Sequence, residues 1–379
     1  MDLARPDQRR PARKRIVDLF AGPGGLDVAA RWLGLDSVGI EWDKNACLTR
    51  AKACLPTVEG DVAALGPADF PDADVLVGGP PCQTYTVAGS GDGRRNLDHV
   101  LTLIKHMAAR DDRRFEVLAA LAELRTRLVV EPLRWALEAH DSGNPYDVIV
   151  LEQVQAVLPI WEAMGEALEA YDYKVASGVL RTEEFGVPQT RRRAILIACR
   201  GRHPELPKPT HRRYIRNKSS SEGDPALLPW VSMGDALGRH EPFVVVSNYG
   251  TGGDPKNRGR RTSGQPSATV TGKVSRNRLV TPDGDDLGRL TAPEAGKLQT
   301  FPVDYPWSGN DVAQQIGNAI PPRLAAHVLA AALGIALDPG DLDVRLNEGW
   351  CLPAADPRDE HVRFAKASNT PARRQRAAL

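Results

Sequence analysis

From Ile16 the chain runs apolar through Ile16-Val17-Asp18-Leu19-Phe20, stops at Ala21-Gly22-Pro23-Gly24-Gly25, and then places Leu26, Ala29, Ala30 and Leu33 at helical spacing up to Gly34. A solid apolar run that changes to a 3.6-residue period across a glycine turn predicts strand, turn, helix. The unit recurs. Ser37–Trp42 predicts a strand, Asn45–Leu55 a helix, the neighbourhood of Val58 a short strand, and Val75-Leu76-Val77 a strand running into Gly78-Gly79-Pro80-Pro81. Residues 97–140 are helical by period and rich in Arg and Leu, and Val148-Ile149-Val150-Leu151 is apolar throughout, the pattern of a strand buried on both faces. Tyr173–Leu180 and Ala194–Ala198 predict closing strands. Strands alternating with helices predict an α/β fold with a doubly wound, mostly parallel, Rossmann-like sheet.

Between about 201 and 288 the texture changes to Pro, Gly, Ser, Arg and Asn with short apolar fragments such as Phe243-Val244-Val245-Val246. This predicts a second, smaller, irregular domain. At Thr291-Ala292-Pro293-Glu294 a helix start returns, with a hydroxyl at the cap and Pro in the first turn, and Ile320–Leu333 reads as a last apolar helix. The expected plan is therefore a disordered basic tail (1–14), a large domain (15–200) that resumes at 289–340, the small domain (201–288) between its halves, and an extension with a basic tail (341–379).

Composition narrows the class. With 379 residues, 42% hydrophobic and 26% charged, the chain is neither a disordered tail protein nor a collagen-like fibre. No run of about 18 apolar residues occurs and no apolar stretch follows the basic N-terminus, so a cytoplasmic chain without membrane span or signal peptide is expected. The five cysteines, at 47, 54, 82, 199 and 351, form neither C-x-x-C pairs nor a cluster at zinc-ligand spacing. They read as reduced thiols with no metal, Cys47, Cys54 and Cys199 being buried hydrophobes. The formal charge of +1 conceals a polarity: residues 1–15 carry +4, 191–280 carry +12 and 361–379 carry +5, against −12 for 16–190 and −8 for 281–360. A basic middle in an acidic body suits a polyanion touching one region only, with binding that weakens as salt rises.

Five stretches carry candidate chemistry. In the first, the glycine turn after Asp18-Leu19-Phe20 is followed by Glu41-Trp42-Asp43 at the end of the second strand, where a carboxylate suits a ribose. Phe20 and Trp42 could stack on adenine, and Asp61 could meet its amino group. Asp27 occupies the place of the third glycine of a dinucleotide fingerprint, which disfavours a pyrophosphate and fits S-adenosylmethionine better than NAD. The second is Gly79-Pro80-Pro81-Cys82-Gln83, a thiol on a rigid turn at a strand's carboxyl end; the third is Glu152-Gln153-Val154 at the end of the next long strand. The fourth, Gln189-Thr190-Arg191-Arg192-Arg193, would point Arg191 and Arg193 to one face and Arg192 to the other. The fifth, Gln315-Ile316-Gly317-Asn318-Ala319, reads as a Gly-Asn turn before a helix.

In this order the five stretches resemble the cytosine-C5 DNA methyltransferase family, from Ile16 to about Leu333. Arg289-Leu290-Thr291 through Glu294 to Leu298-Gln299-Thr300-Phe301-Pro302 resembles its penultimate motif, and Pro266-Ser267-Ala268-Thr269-Val270-Thr271 the segment closing its target-recognition domain. The resemblance implies an S-adenosylmethionine-dependent DNA cytosine-C5 methyltransferase of the bacterial modification type, with an S-adenosylmethionine-dependent methyltransferase sheet and a target-recognition domain. Cys82, Glu152, Arg191 and Arg193 would be catalytic. Asp18, Phe20, Ala21, Gly22, Gly24, Gly25, Leu26, Glu41, Trp42, Asp61, Pro80, Asn318 and Ala319 would hold the cofactor. Gln83, Thr84, Gly89, Arg192, Arg258, Arg260, Arg261, Thr269, Lys273, Arg276 and Arg278 would meet DNA. Thr84–Asn96, with Gly89, Gly91 and Gly93, resembles the family's mobile catalytic loop.

The partners implied are double-stranded DNA and, functionally, a cognate restriction endonuclease, with the chain a monomer. A tRNA cytosine-C5 methyltransferase and a catalytically inactive DNA-binding relative are the alternatives. Two features depart from the family pattern. Its Glu-Asn-Val appears as Glu152-Gln153-Val154, whose extra methylene is expected to rearrange hydrogen bonds around the methyl donor. The stretch 100–140, with Arg110, Arg113, Arg114, Arg125 and Arg127, is longer than usual and reads as a solvated helical face rather than a second DNA contact.

Overall fold

A computed structural model describes residues 14–81, 91–113, 117, 127–247 and 258–350. In chain order these form β1 (Arg15–Leu19), α1 (Gly25–Trp32), β2 (Asp36–Glu41), α2 (Lys44–Lys52), β3 (Thr57–Glu59), β4 (Val75–Gly78), α3 (Gly91–Ala108), α4 (Glu131–Asp141), β5 (Val148–Val154), α5 (Leu158–Glu169), β6 (Tyr173–Arg181), β7 (Gln189–Thr190) and β8 (Arg192–Arg200). The smaller elements follow: α6 (Met233–Leu237), β9 (Val244–Val246), β10 (Arg260–Thr262), β11 (Ser267–Ala268), β12 (Arg278–Val280) and β13 (Asp286–Gly288). Last come α7 (Ala292–Leu298), α8 (Val312–Asn318), α9 (Pro322–Leu333) and α10 (Pro339–Asn347).

Seven strands make one sheet in the order β3-β2-β1-β4-β5-β8-β6. β1 to β5 pair in parallel, and β8 runs antiparallel to both β5 and β6. The sheet is buried on both faces because successive side chains alternate. Ile16, Val75, Val77, Val150, Ile195 and Ile197 join the apolar cluster that includes Leu26 of α1 and Leu324 and Val328 of α9. Val17, Leu19, Leu76, Ile149, Leu151 and Leu196 join the other, with Leu103 of α3, Leu133 of α4 and Trp161 of α5. The same alternation carries past the strand ends, so Asp18, Gly79, Glu152 and Arg193 belong to the face that packs α1 and α9.

Sequence and structure part at several points. Residues 128–139 are core: Leu128, Val129, Val130, Leu133, Trp135, Ala136, Leu137 and Ala139 are buried, so this part of the 100–140 stretch is not a solvated face. Arg110, Arg113 and Arg127 lie within the described residues, whereas Arg114 and Arg125 lie outside them. Gly91 and Gly93 fall in α3 rather than in a loop. Gln315–Asn318 is the end of α8, because Asp311 begins a helical turn there that runs until Ala319 becomes extended. Cys54 is exposed at φ 51, ending the loop after α2, whereas Cys47 is half-buried and Cys199 buried. The tail 1–13 and residues 351–379, Cys351 among them, lie outside the described residues.

The region 201–288 is more regular than its composition suggests. It holds a four-stranded antiparallel sheet in the order β10-β9-β12-β13. One face of that sheet supplies Val245 and Leu279 to an apolar cluster completed by Leu290, Ala295, Leu298 and Ile316 from α7, α8 and their approach. The Thr291 start is a capping box, the Thr291 hydroxyl accepting from the Glu294 amide and the Glu294 carboxylate from the Thr291 amide. The small sheet therefore shares its core with the returning helices.

Under the first glycine turn lies an ion pair with no solvent exposure, Arg50 Nη1 to Asp27 Oδ2 at 2.6 Å. Arg50 also donates to Thr57 Oγ1 and the Pro56 carbonyl, and Asp27 accepts from Ser37 Oγ. Gly39 makes the room: a Cβ there would lie 2.1 Å from Arg50 Nη2. Burial opposes the Arg50 charge, but Asp27 outweighs it and holds its pKa above the ordinary value. Asp27 is thus committed inward. Removing one member strands the other, so Asp27→Ala is expected to cost about 3–5 kcal/mol. Urea denaturation reads it, and a loss under about 1 kcal/mol would sink the idea.

A second buried group predicts a pH dependence. Burial, then Arg323, lowers His211 to about 4, and burial, then Arg323 and His211, lowers His327 to about 3. Both folded values lie below the unfolded value near 6.5, so the unfolded chain binds protons that the folded chain refuses. Their contribution is complete above about pH 6.5 and declines as pH falls toward 4. The urea midpoint should fall between pH 6.5 and 5, and His327→Gln should make that fall shallower.

Candidate active site

The register aligns the carboxyl ends of four strands. Leu19 pairs with Gly78, Gly78 with Leu151, and Leu19 with Ile40, so Phe20, Gly79, Glu152 and Glu41 stand at one level. This is the edge where open α/β sheets hold ligands.

Between β1, β2 and the turn after β3 is a small, partly open recess lined by Phe20, Ile40, Glu41, Trp42, Gly60, Asp61, Val62 and Leu128. Phe20 sits at φ 62, turning the chain out of β1. Glu41 closes the recess floor: its carboxylate accepts from the amides of Gly22 (2.7 Å), Trp42 (2.9 Å) and Asp43 (2.7 Å). Burial nevertheless raises its pKa, those amides working the other way. Trp42 is 51% exposed at the rim. Asp61 caps a 3₁₀ turn over Val62–Ala64, accepting from the Ala63 amide at 3.0 Å. Asp18 is buried with both carboxyl oxygens lacking a hydrogen-bond partner, and burial, then Asp27, raises its pKa well above the usual range.

The three glycines of the turn differ in what they do. A Cβ on Gly24 would meet Leu55 Cδ1 at 2.3 Å and one on Gly25 the Ile320 carbonyl at 2.3 Å, whereas Gly22, at φ 54, has nothing within 4 Å. Gly24 and Gly25 thus serve packing, and Gly22 alone faces open space. Ala21 is buried, its amide bonded to the Ile40 carbonyl, and Leu26 is in the core. Asn318 is exposed and accepts from Gln314 Nε2, and Ala319 is buried. Gly24, Gly25 and Leu26, expected at the cofactor, thus each have a packing role as well.

At the other side of Gly79, Arg193 Nε lies 2.6 Å from Glu152 Oε1, both largely buried. They meet because Val154 pairs with Arg193 across β5 and β8, putting Glu152 two residues away on the same face. A Cβ on Gly79 would lie 3.4 Å from Glu152 Oε2, so this carboxylate borders the arm that leads through buried Pro80. Gln153 Nε2 donates to the Pro80 carbonyl at 2.6 Å, and Gln153 Oε1 accepts from the Val154 amide. The longer side chain therefore grips that arm instead of lining the recess. Cys82, Gln83, Thr84 and Gly89 lie outside the described residues.

Arg191 is buried and takes the face of Arg193, as period 2 requires, while Arg192 is exposed. Its guanidinium donates to the carbonyls of Val270 (2.8 Å), Gly317 (2.9 Å) and Ala319 (3.2 Å). Gln189, buried beside it, donates to the Leu298 carbonyl and Gln299 Oε1 and accepts from the Val270 amide. Sequence reasoning named Gln189 and Gln299 in separate motifs but not their pairing, which no spacing marks across 110 residues, and passed over Leu128, which sits in an unbroken helical pattern.

Among the small-sheet residues, Arg258, Arg260, Lys273, Arg276 and Arg278 are exposed, Arg278 being ion-paired with Asp286. Arg260, Val246 and Arg278 form one cross-strand row. Arg261 falls on the opposite face, 4.9 Å over the Tyr214 ring, and Thr269 Oγ1 donates to the Thr190 carbonyl. Both have internal partners where exposed contacts were expected. Among the described residues no group of His, Cys, Asp and Glu could hold a metal ion, and no helix is long and apolar enough to cross a membrane.

The sequence profile of the C-5 cytosine-specific DNA methylase family matches residues 14–104, 147–225 and 244–333. The chain belongs to that family. It is 27% identical over 314 residues to the type II methyltransferase M.HaeII of Haemophilus aegyptius, covering 81% of this chain and 88% of the relative. It is likewise 27% identical over 359 residues to M1.HphI of Haemophilus parahaemolyticus, covering 84% and 86%. The solved S. pombe Dnmt2 methyltransferase shares the fold at TM-score 0.54 and 15% identity, covering 85% of this chain and 99% of that one.

The Gln315–Asn318 motif owes its glycine to a close approach. A Cβ on Gly317 would lie 2.2 Å from the Gly272 amide nitrogen and 2.4 Å from the Thr271 carbonyl carbon, both backbone. Gly317→Ala should therefore cost about 1–3 kcal/mol by forcing the seam apart. Gly264→Ala, with nothing within 4 Å, should change the thermal midpoint little. Equal midpoints for the two variants would contradict this.

Proposed function

We propose that this methyltransferase transfers a methyl group from S-adenosylmethionine to carbon 5 of a cytosine flipped out of duplex DNA, with Cys82 as attacking thiol. The observation that supports it most is the Glu152–Arg193 pair beside Gly79, on the sheet edge that also carries the recess. The recess suits the donor. Phe20 and Trp42 offer faces to adenine, Glu41 an acceptor to the ribose and Asp61 one to the adenine amino group; outside that lining, buried Asp18, with two orphaned oxygens, offers one to the donor's ammonium. When bound, the donor supplies an electrophilic sulfonium methyl.

Carbon 5 of cytosine is a poor nucleophile until the ring is activated. The Cys82 thiolate adds to C6, moving the ring electrons toward C5. Arg193 donates to O2 and Glu152 holds a proton at N3, so charge developing on that edge is met by groups already in place. C5 takes the methyl, then loses its proton to a base, and the Cys82 sulfur leaves as the C5–C6 double bond re-forms. The base must first leave the stack, at a cost of a few kcal/mol. Arg191 acts at one remove by bracing the strand that presents Arg193. On the small sheet, exposed Arg258, Arg260, Lys273 and Arg276 neutralise phosphates. The proposal extends to a monomer acting in the cytoplasm, the type II names of the relatives suggesting a cognate endonuclease as its functional counterpart.

Incubating the full chain and labelled donor with duplex DNA and, separately, bulk tRNA should label the DNA alone, and 5-fluorocytosine DNA should trap a covalent complex. Glu152→Gln should lower kcat by about 10²–10⁴. Cys82→Ala should abolish transfer and trapping, and full activity in that variant would overturn the mechanism. Bisulfite sequencing of host DNA gives the target site.

A further inference from the structure

The wall of the recess that carries Asp61 is held from outside. Asp61 begins the turn through Val62 and Ala63 to Leu65, a stretch with no strand neighbours to fix it. Arg134, on α4, reaches both ends of that turn: its Nη2 donates to the Val62 carbonyl at 3.0 Å and to the Leu65 carbonyl at 2.9 Å. The guanidinium is itself aimed by carboxylates on its own helix, Nε to Glu131 Oε2 at 2.7 Å and Nη1 to Glu138 Oε1 at 2.9 Å. Trp135, fully buried on the same helix, adds a longer bond from Nε1 to the Val62 carbonyl at 3.4 Å. Leu128, just before α4, supplies the facing apolar wall.

We propose that Arg134 is a positioning residue for purine discrimination, acting through Asp61. Arg134 Nη2 alone donates to both carbonyls while Nε and Nη1 stay on Glu131 and Glu138, four contacts that a single ammonium could not make in the same geometry. With both held, the Asp61 carboxylate, already fastened to the Ala63 amide, has one orientation and presents its remaining acceptor capacity to the recess. A purine bearing an exocyclic amino group donates to that acceptor, and one bearing a carbonyl there sets two acceptors against each other. Arg134 touches neither ligand nor reacting atoms, and its effect is to keep this choice sharp. The inference rests on reading the recess as the adenosine site.

Calorimetric titration of the full chain with S-adenosylhomocysteine and with S-inosylhomocysteine tests it. The wild type should prefer the adenine compound by about tenfold or more, the worth of one hydrogen bond to a charged group. Arg134→Lys should bring the ratio toward one while affinity for the inosine compound stays. Asp61→Asn should do the same, and the double variant should lose no more than Asp61→Asn alone, because the two residues act in series. Trp135→Phe should lower the ratio less, and carries the test if Arg134→Lys does not fold by circular dichroism. An unchanged ratio in Arg134→Lys, equal weakening of both compounds, or an additive double variant overturns the proposal, as does a wild type that binds both equally. A wild type that binds neither compound overturns instead the adenosine reading beneath it, and shows this before any substitution is made.

Discussion

A buried guanidinium holds this molecule's two parts in register. Arg191 carries a charge into a setting with no carboxylate bonded to it, and burial, followed by the nearby Arg193, pushes its pKa well down. Three carbonyls answer it, from Val270 just after β11 and from Gly317 and Ala319 where α8 ends. Neutral carbonyls have no charge to match, so the arrangement is stable only while all three segments stay together. Gln189 and Gln299 extend the same logic, each bonding backbone from another segment. Strand β8 therefore cannot be placed without the chain that returns some eighty to one hundred and thirty residues later.

That constraint explains why the site is shared between elements rather than built on one. Arg193 is two residues beyond Arg191, so bracing one aims the other. On the opposite side of Gly79 the carboxylates Asp18, Asp27 and Glu41 crowd together, with Arg50 as the cation paired to Asp27. Asp27 takes it, Glu41 is satisfied by three amides, and Asp18 is left with neither. A native structure rarely leaves a buried carboxyl so exposed to its own desolvation cost, and such a group at a strand end is where a cationic ligand contributes most.

Much of this edge was legible in the sequence because its determinants are local. Period 2 alone assigned Arg191 and Arg193 to one face and Arg192 to the other, and the alternation of strand and helix placed Glu41 and Glu152 at strand ends. The glycines were read less well. Sequence marks a glycine turn but not which residue needs a positive φ, which clears a neighbour and which faces open space, and here those differ among Gly22, Gly24 and Gly25. Leu128 and Arg134 were invisible for a different reason: a helical pattern records which face is buried and says nothing of what the face is buried against. Asp27 was visible but its partner was not, since Arg50 lies on another helix.

The basic middle segment shows how far a formal charge reaches. Its +12 between residues 191 and 280 counts every Lys and Arg alike, yet the fold spends many of them inside. Arg191 goes to carbonyls, Arg193 to Glu152, Arg212 to the Asp224 and Ser220 carbonyls, Arg239 to Glu294 and Arg261 to the Tyr214 ring. Counterion release depends on cations that can reach phosphates, and a guanidinium already bonded to protein releases nothing when DNA arrives. What remains includes Arg258, Arg260, Lys273 and Arg276, exposed on the small sheet and its flanking turn, and Arg192, Lys208, Arg213, Arg216 and Lys218, exposed outside it. The segment's charge thus has two physical roles, one fastening the small unit to the catalytic sheet and one facing outward, and only the second belongs to the electrostatics of DNA.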